Sequence, residues 1–338
     1  MNEKLKILVL IGPNLTPPKD VQGYNLWKVP WRTEYYVITT LKSIGHDVKV
    51  IEVIDDLSVI RKAKKEFEPH IAFNLLEAFD SETLQNYALV SYLEMIKLPY
   101  TGCNPKGLML SRDKGLSKKL LHYHRIKMPV FDIAKIGKNY KRSRKLEFPL
   151  IVKSLTEEGS VGISQASIVN DDEKLNERIK FIHDNTLSHA LIESYVEGKD
   201  IYVSLIGNKK VEVFPLLELQ FKNLPKNIYK IASSKVKWSP EYREKYKIDT
   251  EVCKYTEEQT KKIKKLSRKI YHLLELSGYA RLDLRICESG QIYFLEANPN
   301  PEIARPEDFA YSAKHQKINY PKLLNKIMDL GIKYSQNN

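Results

Sequence analysis

The stretch Ala280-Arg281-Leu282-Asp283-Leu284-Arg285 is followed, across the turn Glu288-Ser289-Gly290, by Phe294-Leu295-Glu296-Ala297-Asn298-Pro299-Asn300-Pro301. Apolar and charged residues alternate on both sides of the turn, the period of a β-hairpin with one face buried. Arg281, Asp283 and Arg285 therefore share one face of the first strand, and Glu296 and Asn298 share one face of the second. One sheet surface thus carries two carboxylates, an amide and guanidinium groups. Oxygen donors of this kind suit Mg²⁺, which completes its octahedron with water and phosphate oxygens. Taken alone, the hairpin is equally well explained by a ladder of salt bridges from Arg281 and Arg285 to Asp283 and Glu296, since exposed charge pairs are common and weakly stabilising.

Working outward, Phe148-Pro149-Leu150-Ile151-Val152-Lys153 is a buried-strand pattern that ends in a cation, and Glu157-Glu158-Gly159-Ser160-Val161-Gly162 follows it. Glycines let backbone amides approach a phosphate closely, although a lysine at a strand end is more often simply solvated. Leu191-Ile192-Glu193-Ser194-Tyr195-Val196-Glu197-Gly198-Lys199-Asp200 sets acids on either side of a short apolar segment. Such a cleft suits a planar base, held at its edge by backbone groups and on its faces by apolar side chains; the plainer alternative is an interdomain strand with exposed acids. Ser111-Arg112-Asp113-Lys114 puts a lysine near a predicted helix start.

The chain has 338 residues, room for two or three domains. Apolar β-rich runs at 5–11, 47–54 and 69–75 alternate with helical patterns and predict a parallel α/β domain over 1–104. A charged helix over 112–123, strands at 148–153, 163–169 and 190–193 and a helix over 171–183 predict a small α+β unit over 105–195. Residues 196–338 form the third unit, with strands at 201–206 and 211–217, a capped helix from Thr256 and the hairpin above; residues 218–250 lack periodicity and have the length of a functional lid. The net charge is +13, but 29% charged and 42% hydrophobic residues exclude a disordered chain. The lysine-rich segments 61–65 and 261–265 lie on helical patterns among acids and read as solvated faces, which leaves nucleic-acid binding without a motif. No apolar run is long enough to span a bilayer. Cys103, Cys253 and Cys287 form no CxxC pair, so neither a disulfide framework nor a cysteine zinc site is expected, and a reducing cytoplasm fits.

The order of these motifs along the chain resembles the ATP-grasp superfamily and, within it, the D-alanine:D-alanine ligase-like branch. The resemblance runs from Leu98-Pro99-Tyr100-Thr101-Gly102 through Asp113-Lys114, Pro149–Lys153, Gly159–Gly162 and Ile192-Glu193 to Ala280–Asp283 and Glu296–Pro299. It implies an α/β ATP-grasp fold: an N-terminal Rossmann-like domain and two α+β subdomains that clamp ATP. It further implies that Lys114 and Lys153 contact ATP phosphates, that Glu193 and Val196 meet the adenine edge, and that Asp200 holds the ribose. Asp283, Glu296 and Asn298 match ligands of Mg²⁺, two ions in all, with Mn²⁺ an acceptable substitute. Arg281 matches the arginine at the phosphoryl oxygens, Ser160 a serine of the glycine-rich loop, and either Lys235 or Lys237 the lysine that closes over the γ-phosphate.

The implied activity is ATP-dependent joining of a carboxylate donor to an amine acceptor through an acyl phosphate, with ADP and phosphate released and with a homodimer compatible. The branch also carries an acid before the first helix that holds the donor's ammonium group, whereas here the region reads Trp27-Lys28-Val29-Pro30-Trp31-Arg32-Thr33-Glu34, with Glu34 out of register. Its glycine-rich loop has two adjacent serines where this chain has Gly159-Ser160, and its Ser-Pro-Gly-Met-Thr segment is replaced by Asn300-Pro301-Glu302-Ile303-Ala304-Arg305. These departures point to an acceptor other than D-alanine, with Glu302 attracting its amine and Arg305 its anionic group, or else to an ion pair of Arg305 with an acidic neighbour. D-alanine:D-alanine ligase itself and a non-catalytic nucleotide-binding regulator are the alternatives.

Overall fold

The computed structural model describes residues 4–80, 82–157 and 159–337. Glu158 of the glycine-containing loop lies outside them. The strands Lys6–Ile11, Asp47–Glu52 and Ile71–Asn74 pair in parallel, with Lys6–Ile11 in the middle. Alternation sorts the central strand's side chains between two cores. Leu8 and Leu10 pack with Ile60 and Leu93 on one side. Ile7, Val9 and Ile11 pack on the other with Val37 and Leu41 of the helix Arg32–Ser43, and with Phe309, Leu324 and Ile327. Those last three belong to the helices Asp308–His315 and Tyr320–Gln336, so the end of the chain returns to the N-terminal sheet instead of packing solely within the unit expected over 196–338. Gly331 permits this close approach, because a Cβ there would stand 2.1 Å from the Tyr100 carbonyl oxygen.

The central unit is an antiparallel sheet in the order Phe131–Ala134, Ala190–Ser194, Leu150–Ser154, Ile168–Val169, backed by the helix Asp172–Thr186. Of the strand expected over 163–169 only Ile168–Val169 forms, because Gln165–Ser167 turn as a 3₁₀ segment closed by a 3.0 Å hydrogen bond from Ser164 N to Ser167 Oγ. The helix expected over 112–123 forms as Lys114–Tyr123, and a further helix, Pro105–Arg112, precedes it. Asp113 leaves helical geometry between them and its side chain accepts from Leu116 N at 2.9 Å, which sets Lys114 at the first turn of the second helix.

The third sheet is antiparallel, with Lys199–Gly207 and Tyr279–Ile286 at its centre and Ile292–Pro299 at one edge. The strand expected over 211–217 is broken into Val211–Val213 and Leu217–Phe221, both on Lys199–Gly207. Pro215, which has no N–H to donate, lies in the gap. The aperiodic stretch 218–250 is folded: Leu217–Phe221 pairs with Ile248–Val252, and two short serine-capped helices, Ser234–Trp238 and Pro240–Tyr246, lie between them. The helix Glu257–Leu273 opens with the capping box of Thr256 and Gln259 that the sequence predicts. Among the described residues no helix is long and apolar enough to cross a membrane.

Candidate functional site

The hairpin pairs Arg281 with Asn298 and Asp283 with Glu296 across its two strands, so all four side chains meet on one face as the alternation predicts. The face divides into two kinds of contact. Arg281 grips Asp283 with both ends of its fork, Nε to Oδ1 at 2.7 Å and Nη2 to Oδ2 at 3.0 Å, and lies over the Tyr202 ring at 4.8 Å. Arg285 pairs with Asp200 at 2.7 Å. The ladder reading therefore holds for Arg281 alone, since Arg285 turns to Asp200 on the neighbouring strand and to neither carboxylate of the hairpin. Among the described residues Glu296 has no guanidinium partner of this kind, and Lys114 Nζ lies 3.9 Å from it. Burial alone would raise its carboxyl, but Lys114, Lys153, Lys237 and Arg281 around it hold the pKa down at about 2. Asp283 is pushed up by burial, against the pull of Arg281.

Beside this face lies a buried charge cluster. Glu193 sits between Lys118 and Lys153, each 2.6 Å away, and all three side chains are less than a tenth exposed. Lys118, which sequence reasoning missed, is wholly buried and stacks over Phe131 and Phe294 at 5.9 and 5.5 Å. Its only signal was its position four residues after Lys114, on the same helical face. Burial lowers its pKa while Glu193 opposes the shift. Five cations, Lys114, Lys118, Lys153, Lys237 and Arg281, thus surround three carboxylates, Glu193, Asp283 and Glu296. An excess of positive charge in a buried site suits a polyanion.

Between the central and third sheets, Arg285 joins four groups: the Asp200 carboxylate, the Val196 carbonyl at 2.9 Å, the Lys230 carbonyl at 3.0 Å, and the Tyr195 ring at 5.5 Å. Asp200 and Val196 are thereby brought to one place. The stretch 229–238 closes over the glycine-containing loop. Ser160 Oγ donates to the Ala232 carbonyl at 2.6 Å, Ser234 N to Ile163 O at 3.1 Å, and Trp238 Nε1 to Gly159 O at 2.9 Å. Ser160 is engaged as a fastener of this lid. Of the two candidate lysines, Lys235 is exposed, whereas Lys237 is the one whose charge is felt by Asp283 and Glu296.

A cavity of about 830 Å³ opens between the N-terminal domain, the turn after Asn298 and the lid, and both Glu34 and Glu302 line it. Glu302 accepts from Arg32 at 2.6 Å and from Thr33 Oγ1 at 3.1 Å, and Arg32 also pairs with Glu307. Arg305 lies elsewhere. With Ile303 and Ala304 buried, its side chain turns to the outside of the first helix, donating to Thr40 Oγ1 at 3.0 Å and packing on Tyr36 and Tyr320. Two other guanidinium groups line the cavity, Arg112 and Arg32, the latter paired with Glu302 and Glu307; the sequence reading did not select Arg32. The turn itself is fixed by Asn300, whose Oδ1 accepts from Cys103 N at 2.7 Å; Gly102 makes room for it, since a Cβ at Gly102 would stand 2.6 Å from that oxygen.

Glu34 is 4% exposed, and burial pushes its carboxyl up to about 7, with Glu77 and Glu302 adding to the shift. A carboxyl raised on folding favours the folded state when protonated, so its ionisation costs stability as pH rises from about 4.5 to about 7. The wild-type protein should lose roughly 3 kcal/mol over that window from this group. Urea midpoints at pH 5 and pH 8 should therefore converge in Glu34→Gln, Glu307 keeping its own share of the slope. An unchanged difference in the variant would remove Glu34 as its source.

Asp283, Glu296 and Asn298 present hard oxygen donors, and among the described residues no three His, Cys, Asp or Glu side chains converge as a metal group. Two carboxylates and an amide fit a Mg²⁺ that takes its remaining ligands from phosphates and water. A parallel α/β domain followed by two antiparallel sheets that close on a lysine-lined cleft defines the ATP-grasp ligases, enzymes that form carbon–nitrogen bonds. Within that class the chain belongs to the D-alanine–D-alanine ligase family: residues 120–329 match the model of the D-ala D-ala ligase C-terminus. It is 27% identical over 301 residues to the D-alanine–D-alanine ligase of Aquifex aeolicus, covering 89% of this chain and 95% of that one. It is also 27% identical over 314 residues to the protein y4sG of Sinorhizobium fredii, covering 89% of each. The crystal structure of D-alanine–D-alanine ligase from Bacillus anthracis complexed with ATP superposes with a TM-score of 0.76 at 22% identity, over 98% of this chain and 99% of that one.

Proposed function

We propose that the protein joins a carboxylate to an amine other than D-alanine, by way of an acyl phosphate and with release of ADP and phosphate. The observation that carries the reading is Glu296, in register with Asp283, unclaimed by either arginine and ringed by four cations. Lys114 and Lys153 bind the ATP phosphates, and Lys237 rather than Lys235 approaches the γ-phosphate from the lid. Glu193 acts by holding Lys153 in place, and the Val196 main chain and Asp200, the latter fixed by Arg285, meet the adenine edge and the ribose. Asp283, Glu296 and Asn298 would hold Mg²⁺, which when bound supplies positive charge against the crowded phosphate and carboxylate oxygens. Arg281 steadies the oxygens of the transferred phosphoryl group, a role for which its pairing with Asp283 fixes its orientation. The fastened lid keeps water from the activated carbonyl.

With ATP, Mg²⁺ and a panel of amino acids and peptides, ADP release should require both a carboxylate and an amine. Failure to bind ATP at millimolar concentration would end the proposal. D-alanine–D-alanine ligase is the second reading, favoured by the named relatives, and ADP release at full rate with D-alanine alone would establish it. Against it stands the turn after Asn298, where Glu302 is tied to Arg32 and Thr33.

A further inference from the structure

A second cavity, of about 480 Å³, lies on the central unit, lined by the short strand Ile168–Val169 at the edge of its sheet and by the helix Asp172–Thr186. It shares no lining residue with the cavity around Glu34, and none of its residues belongs to the nucleotide or metal set above. Ile168, Val169 and Phe181 make part of its wall apolar. Asn170, Lys174 and Arg178 add N–H donors, the first two at exposed positions.

Arg178 is the unusual member. It is only 8% exposed, yet among the described residues no carboxylate pairs with it, whereas Arg32 and Arg285, as deeply buried, are each held by one. Its Nη2 donates to the Gly162 carbonyl and to Ser167 Oγ, the latter at 2.9 Å, and its guanidinium lies over the Phe181 ring at 4.2 Å. Among the described residues neither Nε nor Nη1 finds an acceptor. Burial lowers its pKa, and no carboxylate raises it again. The two acids in the cavity wall do not meet this need. Glu177 is paired with Lys174 at 2.9 Å, and Asp171 caps the helix, its side chain accepting from Lys174 N at 2.7 Å. A buried cation without a counter-charge is costly, and the planar guanidinium is matched by the oxygens of a carboxylate or a phosphate.

We infer that this cavity binds a small oxyanion, a carboxylate or a phosphate, at Arg178. The occupant supplies the counter-charge that the fold leaves out, and it meets the guanidinium on the nitrogens that Gly162 and Ser167 do not use. Inorganic phosphate and acetate, titrated separately into the full chain by calorimetry at constant ionic strength, test this. A non-hydrolysable ATP analogue and Mg²⁺ are present throughout, to occupy the lysine-lined cleft.

Saturable binding of at least one of the two anions is expected; the tighter of them shows whether the site is built for phosphate or for carboxylate. Arg178→Met should weaken it at least tenfold, through loss of a charge-assisted contact. The bound anion should raise the melting temperature of the wild type and leave that of Arg178→Met unmoved. Because Arg178 also braces Gly162, a second variant leaves that hydrogen bond in place: Asn170→Asp, at an exposed position in the cavity wall, sets a negative charge beside the anion and should weaken its binding several-fold at an unchanged melting temperature. Arg178→Met decides the matter if it melts like the wild type, and Asn170→Asp if it does not. Binding of neither anion at tens of millimolar, or an affinity that the deciding variant leaves unchanged, would overturn the inference.

Discussion

Glu296→Gln should lower turnover by about three orders of magnitude while the protein remains folded, the scale on which loss of one preorganised charge at a reacting phosphoryl group is felt. The substitution keeps the shape of the side chain and removes only its charge. Asp283 and Asn298 would be left as one carboxylate and one amide, too weak a set to hold a divalent ion against water. Because four cations hold the Glu296 carboxyl at about 2, the variant also forfeits some stability at neutral pH, seen as a melting temperature lowered by a few degrees. The two effects separate cleanly. If Glu296 served only as a counter-ion, activity per folded molecule would be nearly normal; if it holds the metal, the folded variant is inactive and needs much more Mg²⁺ for what activity is left. Near-normal turnover at ordinary Mg²⁺ would sink the assignment.

The hairpin was legible because strand side chains alternate with a period of two: Arg281 and Asp283 share a face and pair with Asn298 and Glu296, and the register slips only beyond Asp283, where Leu284 pairs with Phe294. The parallel order of the first sheet followed from its alternation with helices in the same way. What the sequence could not say is which partner an apolar face finds. The stripe of Leu323, Leu324, Ile327 and Met328 announces a buried helix, but nothing local tells that it lies on Ile7 and Val9, more than three hundred residues earlier. The lid helices Ser234–Trp238 and Pro240–Tyr246 are too short to show a helical period. Lysine is ordinarily solvated, so Lys118 among its lysine-rich neighbours gave no sign of being the wholly buried one. Arg305 follows the turn closely in sequence, but the burial of Ile303 and Ala304 turns it away from the cavity that Arg32 lines.

The cost of that buried cluster gives the second large effect. Glu193→Ala strands Lys118 and Lys153, both buried, with no counter-charge between them, and removing one partner from a buried ion pair typically costs about 3–5 kcal/mol. The sign with pH is fixed by the glutamate. Burial alone would raise its pKa, the two lysines overcome this, and the folded value lies below the ordinary 4.5. Its contribution is therefore fully present above about pH 4.5 and lost as the pH falls through the lower folded value, so wild type and Glu193→Ala should converge in urea midpoint under acid. Lys118→Met separates packing from charge. Methionine keeps the length of the chain between Phe131 and Phe294, and the Glu193 to Lys153 pair survives, so this variant should melt within a few degrees of wild type. It should still bind ATP more weakly, because Glu193, freed from Lys118, pulls harder on Lys153 and holds it back from the phosphates. A Lys118→Met protein with an unchanged KM for ATP would confine the triad to stability; a raised KM at nearly unchanged melting temperature would show that Lys118 positions Lys153 through Glu193.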